Sequence, residues 1–332
     1  MSTTKVIRWG IIGAGRIARV FVKDFPFVQN AQLIAIASRD KAKAAGFAAE
    51  YNIPQALDYE ELYNSPDIDA VYIATTHNAH FEQALACIKH GKGVLCEKPI
   101  TVHPRELEIL VSAAAEYKVF LMEALWSCFM PSLAKAREWI SSGRIGSLKI
   151  IQADFSYPAV KNDEARSFNP KLGGGALLDI GIYPIAVCSR FTDGKPKQVK
   201  AHGVLAHTGV DETVGLLLDY GPVTAILTAS IATRMSNTFF LYGETGSIEM
   251  KEFWKTKICR LYDAEHNLLE TYEDGREQHG FAYQVQDATD AMLAGKLQSA
   301  VIPWSSSLEW QETMMEVRRQ INMHLPNDEG YQ

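Results

Sequence analysis

Cysteine is scarce in this sequence and never paired. The five residues, at 87, 96, 128, 188 and 259, lie far apart and none forms a C-x-x-C. That spacing indicates neither a zinc ribbon nor a disulfide framework. Free thiols in a reducing cytosol are the simplest account. Positive charge is also in short supply: 33 Lys and Arg stand against 39 Asp and Glu, a formal net charge of −6. The balance argues against nucleic acid as the main partner. No apolar run reads as long enough to span a membrane, and Met1-Ser2-Thr3-Thr4 runs into the first strand with no apolar leader. The expectation is a cytoplasmic chain with no membrane partner. Internal repeats and low-complexity linkers are not evident. No metal-ligand cluster is visible either, so no metal is expected.

What is present suits a globular enzyme of two domains: 332 residues, 47% of them hydrophobic and 22% charged. The chain is organised around Trp9-Gly10-Ile11-Ile12-Gly13-Ala14-Gly15-Arg16-Ile17-Ala18. The apolar run Val6 to Ile12 ends in a glycine turn. A helical pattern follows, with Ile17, Val20, Phe21 and Phe25 on one face. Strand, turn and helix give G-x-G-x-x-G/A its meaning as a dinucleotide fingerprint. Gly13 permits the tight turn, Gly15 lets a pyrophosphate approach the backbone, and Ala18 lets the helix pack close to the strand. Arg16 and Ile17 open the helix, whose N-terminal N–H groups favour phosphate.

Gln32 to Ala37 is a second short apolar run, suited to a buried parallel strand. Where enzymes that use NAD place an Asp or Glu for the ribose 2′-OH, this chain has Ser38-Arg39. A hydroxyl and a guanidinium suit a 2′-phosphate, so NADP(H) is preferred and NAD(H) is the alternative. Asp40 either caps the next helix, through Tyr51, or faces the ribose. Asp69 to Thr75 is another buried strand, ending in Thr75-Thr76-His77-Asn78-Ala79-His80. Its position at a strand's carboxyl end makes Thr75, Thr76, His77 and Asn78 candidate cofactor contacts, and His80 a candidate substrate contact. The histidines are otherwise solvated loop residues. A helix from Phe81 to His90 leads to the strand Gly93 to Cys96, then to Glu97-Lys98-Pro99. Lys98 is either a surface Lys before a turn or an ammonium aimed over the sheet end, able to exchange a proton with a substrate oxygen. Glu97 and Lys98 join the cofactor candidates. A helix from Pro104 to Tyr117 and a strand from Val119 to Met122 complete roughly six βα units over ~120 residues, a doubly wound parallel domain spanning 1–123.

Glu123 to Pro131 links the halves, and Trp126 and Phe129 are either core or the wall of a cleft where ligands bind. The pattern then alternates over Leu148 to Tyr157, Gln198 to His207, Thr213 to Asp219, Val223 to Ile231, Thr238 to Tyr242 and Ser247 to Met250. Short turns between many of them imply antiparallel neighbours. The expectation for 124–332 is an α+β substrate and dimerisation domain with one large, mostly antiparallel open sheet, its C-terminal helix packing back on the first domain. Helices cover one face, and the other meets a second subunit. Phe155 in the first strand, and Phe281 before the helical pattern Tyr283 to Leu293, are candidate substrate contacts, as is Trp126. A last helix is expected over Ser306 to Leu325, with Asn327 to Gln332 frayed. One stretch interrupts the strands: Gly173-Gly174-Gly175-Ala176-Leu177-Leu178-Asp179-Ile180-Gly181-Ile182-Tyr183-Pro184, with an apolar helix running on to Phe191. Asp179 and Tyr183 are four apart, so both face the same way if the turn is helical. They form either a structural hydrogen-bonded pair or an acid–base group.

Taken together, these motifs resemble the Gfo/Idh/MocA oxidoreductases over nearly the whole chain. The glycine fingerprint, Ser38-Arg39-Asp40, Thr76-His77-Asn78-Ala79-His80, Glu97-Lys98-Pro99, Met122-Glu123-Ala124-Leu125-Trp126 and the Gly173 to Tyr183 stretch carry the likeness. Within that family the chain is most similar to the dimeric dihydrodiol dehydrogenase branch and its bacterial relatives, which carry Tyr where many members carry His. The resemblance implies a Rossmann domain, a pyridine nucleotide, and a sugar, polyol or related hydroxy/carbonyl substrate. It implies Lys98 and Tyr183 at the reacting oxygen, Asp179 as a positioning residue, and a homodimer through the second sheet. One departure stands out: relatives commonly have Arg two residues after the Trp, where this chain has Cys128. Arg166, before the glycine turn, is the candidate substitute cation. Two other readings compete, a sensor that binds NADP(H) and a sugar without chemistry, and a methyltransferase, which has no counterpart for Glu-Lys-Pro.

Overall fold

The computed structural model describes residues 5–331; Met1 to Thr4 and Gln332, named above in the leader and tail expectations, lie outside the described residues. The chain divides into two compact units. The first comprises the residues up to Ala124 together with Gln278–Ser307, and the second Leu125–Glu277 together with the residues from Leu308 onward. The chain crosses between the units a second time, because the segment Gln278–Ser307, near the C-terminus, returns to the first unit.

In the first unit, β1 (Ile7–Ile12), β2 (Ala31–Ala37), β3 (Gln55–Leu57), β4 (Ala70–Ile73), β5 (Gly93–Glu97) and β6 (Leu121–Ala124) form one sheet in the order β3-β2-β1-β4-β5-β6. Every pairing is parallel. The order reverses between β1 and β4, and such a switch point opens a crevice at the strands' carboxyl ends. The central strands are buried throughout, which is why they read as short apolar runs. Helices α1 (Arg16–Asp24), α2 (Lys41–Tyr51), α3 (Tyr59–Asn64), α4 (His77–Lys89) and α5 (Pro104–Tyr117) connect them. Asp40 caps α2, accepting the Ala42 and Lys43 N–H groups, so the capping alternative for Asp40 is the one adopted. Tyr72 on β4 stacks on Phe21 of α1 at 3.9 Å.

The returning segment carries the helix Phe281–Leu293, whose buried Thr289 receives the Trp9 indole N–H at 3.3 Å. The Asp24 carboxylate, at the end of α1, fastens this helix. It accepts the backbone N–H groups of His279 at 3.0 Å, Gly280 at 2.8 Å and Phe281 at 2.7 Å.

The second unit holds α6 (Pro131–Ser141), α7 (Ile182–Cys188) and eight strands: β7 (Leu148–Ser156), β8 (Gln198–Leu205), β9 (Asp211–Asp219), β10 (Thr224–Ser230), β11 (Thr238–Gly243), β12 (Gly246–Lys251), β13 (Ile258–Asp263) and β14 (Leu268–Glu273). Their order is β14-β13-β12-β11-β7-β10-β9-β8. All neighbours are antiparallel except β7 and β10. Strands β13 and β14 escape sequence reading, β14 because it is the edge strand: it is half polar and largely exposed, with Leu268 and Leu269 more than half so. At the other edge, the Gln320 amide bonds the free rim of β8. It accepts the Ala201 N–H and donates to the Val199 carbonyl, both at 2.8 Å, standing in for a further strand.

The sheet's inner face buries Ala225, Leu227, Phe239, Leu241 and Met250. On the opposite face Ile150, Val204, Leu217 and Ile226 remain 40–49% exposed. Leu217 and Ile226 are directly paired across β9 and β10.

Two expectations need correction. The run Pro170–Cys188 is long and apolar enough, by composition, to cross a membrane, contrary to the sequence reading. It is 89% buried within the protein, so its hydrophobicity is that of a core segment. Residues 327–331 are not frayed: Pro326–Gly330 forms a turn tied by the buried Arg318 to Asp328.

Candidate active site

In the first unit the glycine turn is built as its sequence requires. Gly13 has φ +104°, and a Cβ there would lie 2.7 Å from the Ala74 carbonyl oxygen, so only Gly fits. Gly15 precedes α1 with no side-chain cap. The space over Gly15 is open, and the first-turn N–H groups point into it from a positive helix end. Ser38 and the exposed Arg39 stand at the end of β2, with no carboxylate at the ribose position. Among the described residues this arrangement fits a pyridine nucleotide: an uncapped helix end for pyrophosphate, a Gly that only Gly can replace, and a guanidinium suited to a 2′-phosphate.

The strand-end histidines are a correction. They sit inside α4, which starts at His77 directly after the extended N-cap residue Thr76. His77 is buried, and His80 is fully so. The His80 Nδ1–H reaches the Pro99 carbonyl at 2.8 Å, and Nε2 lies 3.3 Å from the Thr75 carbonyl. Neither His is a solvated loop residue, and His80 braces backbone rather than presenting its ring to solvent. Thr75 donates to Gln83 at 2.6 Å, Thr76 donates to Asn78 at 2.8 Å, and Asn78 is exposed.

The Glu97-Lys98-Pro99 turn, with a cis Lys98–Pro99 bond, is gripped from several sides. Tyr72 donates to Glu97 Oε1 at 2.6 Å, and the Lys98 N–H to Oε2 at 3.3 Å. Glu97 is thus a buried carboxylate aligning the turn. On the far side, Ile100 N–H donates to Glu123 Oε1 at 2.9 Å. Burial pushes the Glu123 carboxyl up to about 7, against the Ser307 hydroxyl and the Ile100 N–H and with the help of Glu97. Glu123 was legible only as part of a motif, not as the anchor of Ile100. Phe281 is buried at the first turn of its helix, where Asp24 holds its N–H.

In the second unit, Asp179 lies on a π-helical turn, Leu177–Gly181, and Tyr183 on α7 directly after it. Both are buried. The Trp126 indole N–H donates to the Tyr183 hydroxyl at 3.2 Å. Phe155 meets the Tyr183 ring edge-on at 5.3 Å and stacks on Trp254 at 4.0 Å. Asp179 Oδ2 accepts from Tyr157 at 2.7 Å and from Arg166 at 2.8 Å. Burial works against the Arg166 cation, but Asp179 outweighs it and raises the guanidinium above its ordinary value. Burial, reinforced by Asp179, raises the Tyr157 phenol. Arg166 is therefore paired with Asp179 rather than standing as a separate cation. Cys128 is a buried thiol in the turn Trp126–Phe129. The structure brings Trp126, Phe155 and Tyr183 together, and Arg166 with Asp179. It adds Tyr157 and Trp254, whose signal was slight: an aromatic just past β7 and another in the turn after β12.

A glycine-turn nucleotide site on a switch-point parallel sheet is the framework of a NAD(P)-dependent oxidoreductase, here one of a class acting on hydroxyl or carbonyl groups. Residues 7–125 match the oxidoreductase family with an NAD-binding Rossmann fold, and residues 133–249 match the GFO/IDH/MocA C-terminal domain. The chain belongs to the Gfo/Idh/MocA oxidoreductase family. It is 36% identical to a trans-1,2-dihydrobenzene-1,2-diol dehydrogenase from Xenopus laevis, over 96% of this chain and 99% of that one. The enzyme of that name from Homo sapiens is 32% identical, covering 97% and 99%. A 3-ketoreductase from Actinomadura kijaniata, solved with NADP and TDP-benzene, superposes with a TM-score of 0.84 at 27% identity, covering 95% of this chain and 98% of that one.

Proposed function

We propose that the chain transfers hydride between NADP(H), in preference to NAD(H), and a sugar, polyol or dihydrodiol-like hydroxy/carbonyl compound. The nicotinamide supplies or accepts the hydride. Tyr183 gives its phenolic proton to the substrate oxygen in reduction and takes one in oxidation. The observation that carries this reading is the Trp126 indole N–H donated to the buried Tyr183 hydroxyl, which holds the phenol oxygen in place among aromatic rings. The Lys98 ammonium is assigned to the same reacting oxygen and Asp179 to positioning, with the Phe155 and Trp254 rings as apolar substrate contacts. NADP(H) preference is supported by Ser38-Arg39 and by the NADP-bound 3-ketoreductase. The exposed Ile150, Leu217 and Ile226 support a homodimer through the open face of the second sheet.

The test is a fluorescence titration with NADPH and NADH. A panel of sugars, polyols and trans-1,2-dihydrobenzene-1,2-diol is then followed at the nicotinamide absorbance. NADPH is expected to bind more tightly than NADH. Lys98→Ala and Tyr183→Phe should each lose about 10²–10⁴-fold in turnover while NADPH binding persists. Tighter NADH binding would overturn the reading of Arg39, and full turnover in Tyr183→Phe would overturn the mechanism.

A further inference from the structure

Asp211 opens β9 and is fully buried. Its Oδ2 accepts the Leu177 N–H at 2.8 Å. Leu177 is the first residue of the π-turn that carries Asp179, and α7 with Tyr183 follows without a break. The turn's own N-cap residue, Ala176, supplies no side-chain bond, so this carboxyl from a distant strand takes that place. Gly175 has φ +111°, and a Cβ there would fall 2.2 Å from Asp211 Oδ1. The third glycine of the triplet is thus demanded by this carboxyl as well as by its backbone. Oδ1 has no hydrogen-bond partner among the described residues. Burial pushes the carboxyl up to about 7, against the Leu177 N–H, its own N–H and Arg318. A buried carboxyl with an unmet oxygen costs stability, so it calls for a reason.

We infer that Asp211 is a positioning residue for the proposed reaction, fixing through Leu177 the turn on which Asp179 and Tyr183 are mounted. This rests on the reading of Asp179 and Tyr183 as site groups. π-Turns are rare and poorly self-supporting. Relaxing one to α geometry shifts the register by one residue, which rotates side chains beyond it by about 100° relative to those before it. Asp179 and Tyr183 would then no longer hold their present partners, Tyr157 and Trp126. An anchored Leu177 N–H, placed at the positive end of the segment, opposes that slip.

Three variants of the full chain test it: Asp211→Asn, which keeps an acceptor for Leu177, Asp211→Leu, which fills the volume without one, and Tyr183→Phe as control. The readouts are hydrogen exchange of amides 177–183, thermal stability, and turnover of trans-1,2-dihydrobenzene-1,2-diol with NADP+. Asp211→Leu removes a buried carboxyl, which offsets the Leu177 N–H it leaves without an acceptor, so its thermal stability should change little. Exchange over 177–183 should rise at least tenfold, and turnover should fall at least tenfold. Asp211→Asn should stay within threefold of the parent in both. A merely structural Asp211 would lower stability and turnover together. Unchanged exchange in Asp211→Leu, or Asp211→Asn as impaired as Asp211→Leu, overturns the proposal. Asp211→Ala replaces Asp211→Leu if the latter fails to fold. Intact turnover in Tyr183→Phe means that the site reading is at fault, and the exchange data still decide the role of Asp211.

Discussion

Asp24→Ala removes the acceptor on which the returning segment of the first unit depends. The Asp24 side chain is 2% exposed. Oδ2 takes both the Gly280 and Phe281 N–H groups, while Oδ1 takes the His279 N–H and lies 3.0 Å from its ring. Each buried N–H left without a partner costs about 1–3 kcal/mol. The His279 side chain is 58% exposed, so water can serve its side of the nest. The Gly280 and Phe281 donors are buried and dominate. The sum is about 2–6 kcal/mol for Asp24→Ala, centred on about 4 kcal/mol. Asp24→Asn can place its oxygen where Oδ2 stands and keep both buried bonds, turning its NH2 toward the His279 N–H. Its cost should be about 1–2 kcal/mol, a helix cap's worth. Urea unfolding measures the difference: with a slope of about 2 kcal/mol/M, Asp24→Ala should lower the midpoint of the first unit by about 2 M. Hydrogen exchange of the peptide 279–285 should accelerate in parallel. The reasoning fails if Asp24→Ala moves the midpoint by less than about 0.5 M, or if Asn is as damaging as Ala.

Stability should also fall as pH rises from about 4 to about 7. Glu123 and Asp211 have folded values pushed up to about 7 by burial, from ordinary values of 4.5 and 3.8. Between those limits the folded chain keeps protons that the unfolded chain releases. Their stabilising effect is therefore complete below about 4 and lost through 7, at about 1.4 kcal/mol per pH unit for each group. The exposed Glu244 and Glu316, held down to about 2 by Lys149 and by Arg319, act in the opposite sense only as pH falls below their ordinary 4.5. Urea midpoints should be higher at pH 5 than at pH 7.5, and Glu123→Gln should flatten the difference. A chain equally stable at both would contradict the buried-carboxyl account. For the proposed dimer, Ile226→Glu places a charge among Leu217 and its neighbours, so light scattering should report monomer in place of dimer. A parent that is itself monomeric would remove that assignment.

The dinucleotide half was legible because its determinants are local. Gly13 needs a left-handed backbone beside Ala74, Asp40 caps the helix that follows it, and parallel strands buried on both faces read as apolar runs whatever surrounds them. The alternating strands from β7 to β12 were legible for the same reason, since a face packed on helices imposes a period of two. The family motifs likewise marked Lys98, Asp179 and Tyr183 without saying what would touch them.

Tertiary structure alone decided the rest. His77 and His80 read as polar loop residues, but Thr76 starts α4 ahead of them and burial turns their rings inward. Arg166 and Asp179 are 13 residues apart, Tyr157 and Asp179 22 apart, and Asp211 and Leu177 34 apart. Asp24 meets a segment more than 250 residues further on. No periodicity encodes such pairings. Each is set when a buried polar group must find a partner within the packed fold or bear its desolvation. The sequence by itself determined which backbone turns and strands form, because sterics and local hydrogen bonds act over a few residues. Which side chains hold the catalytic candidates in place was decided only when distant segments were brought together.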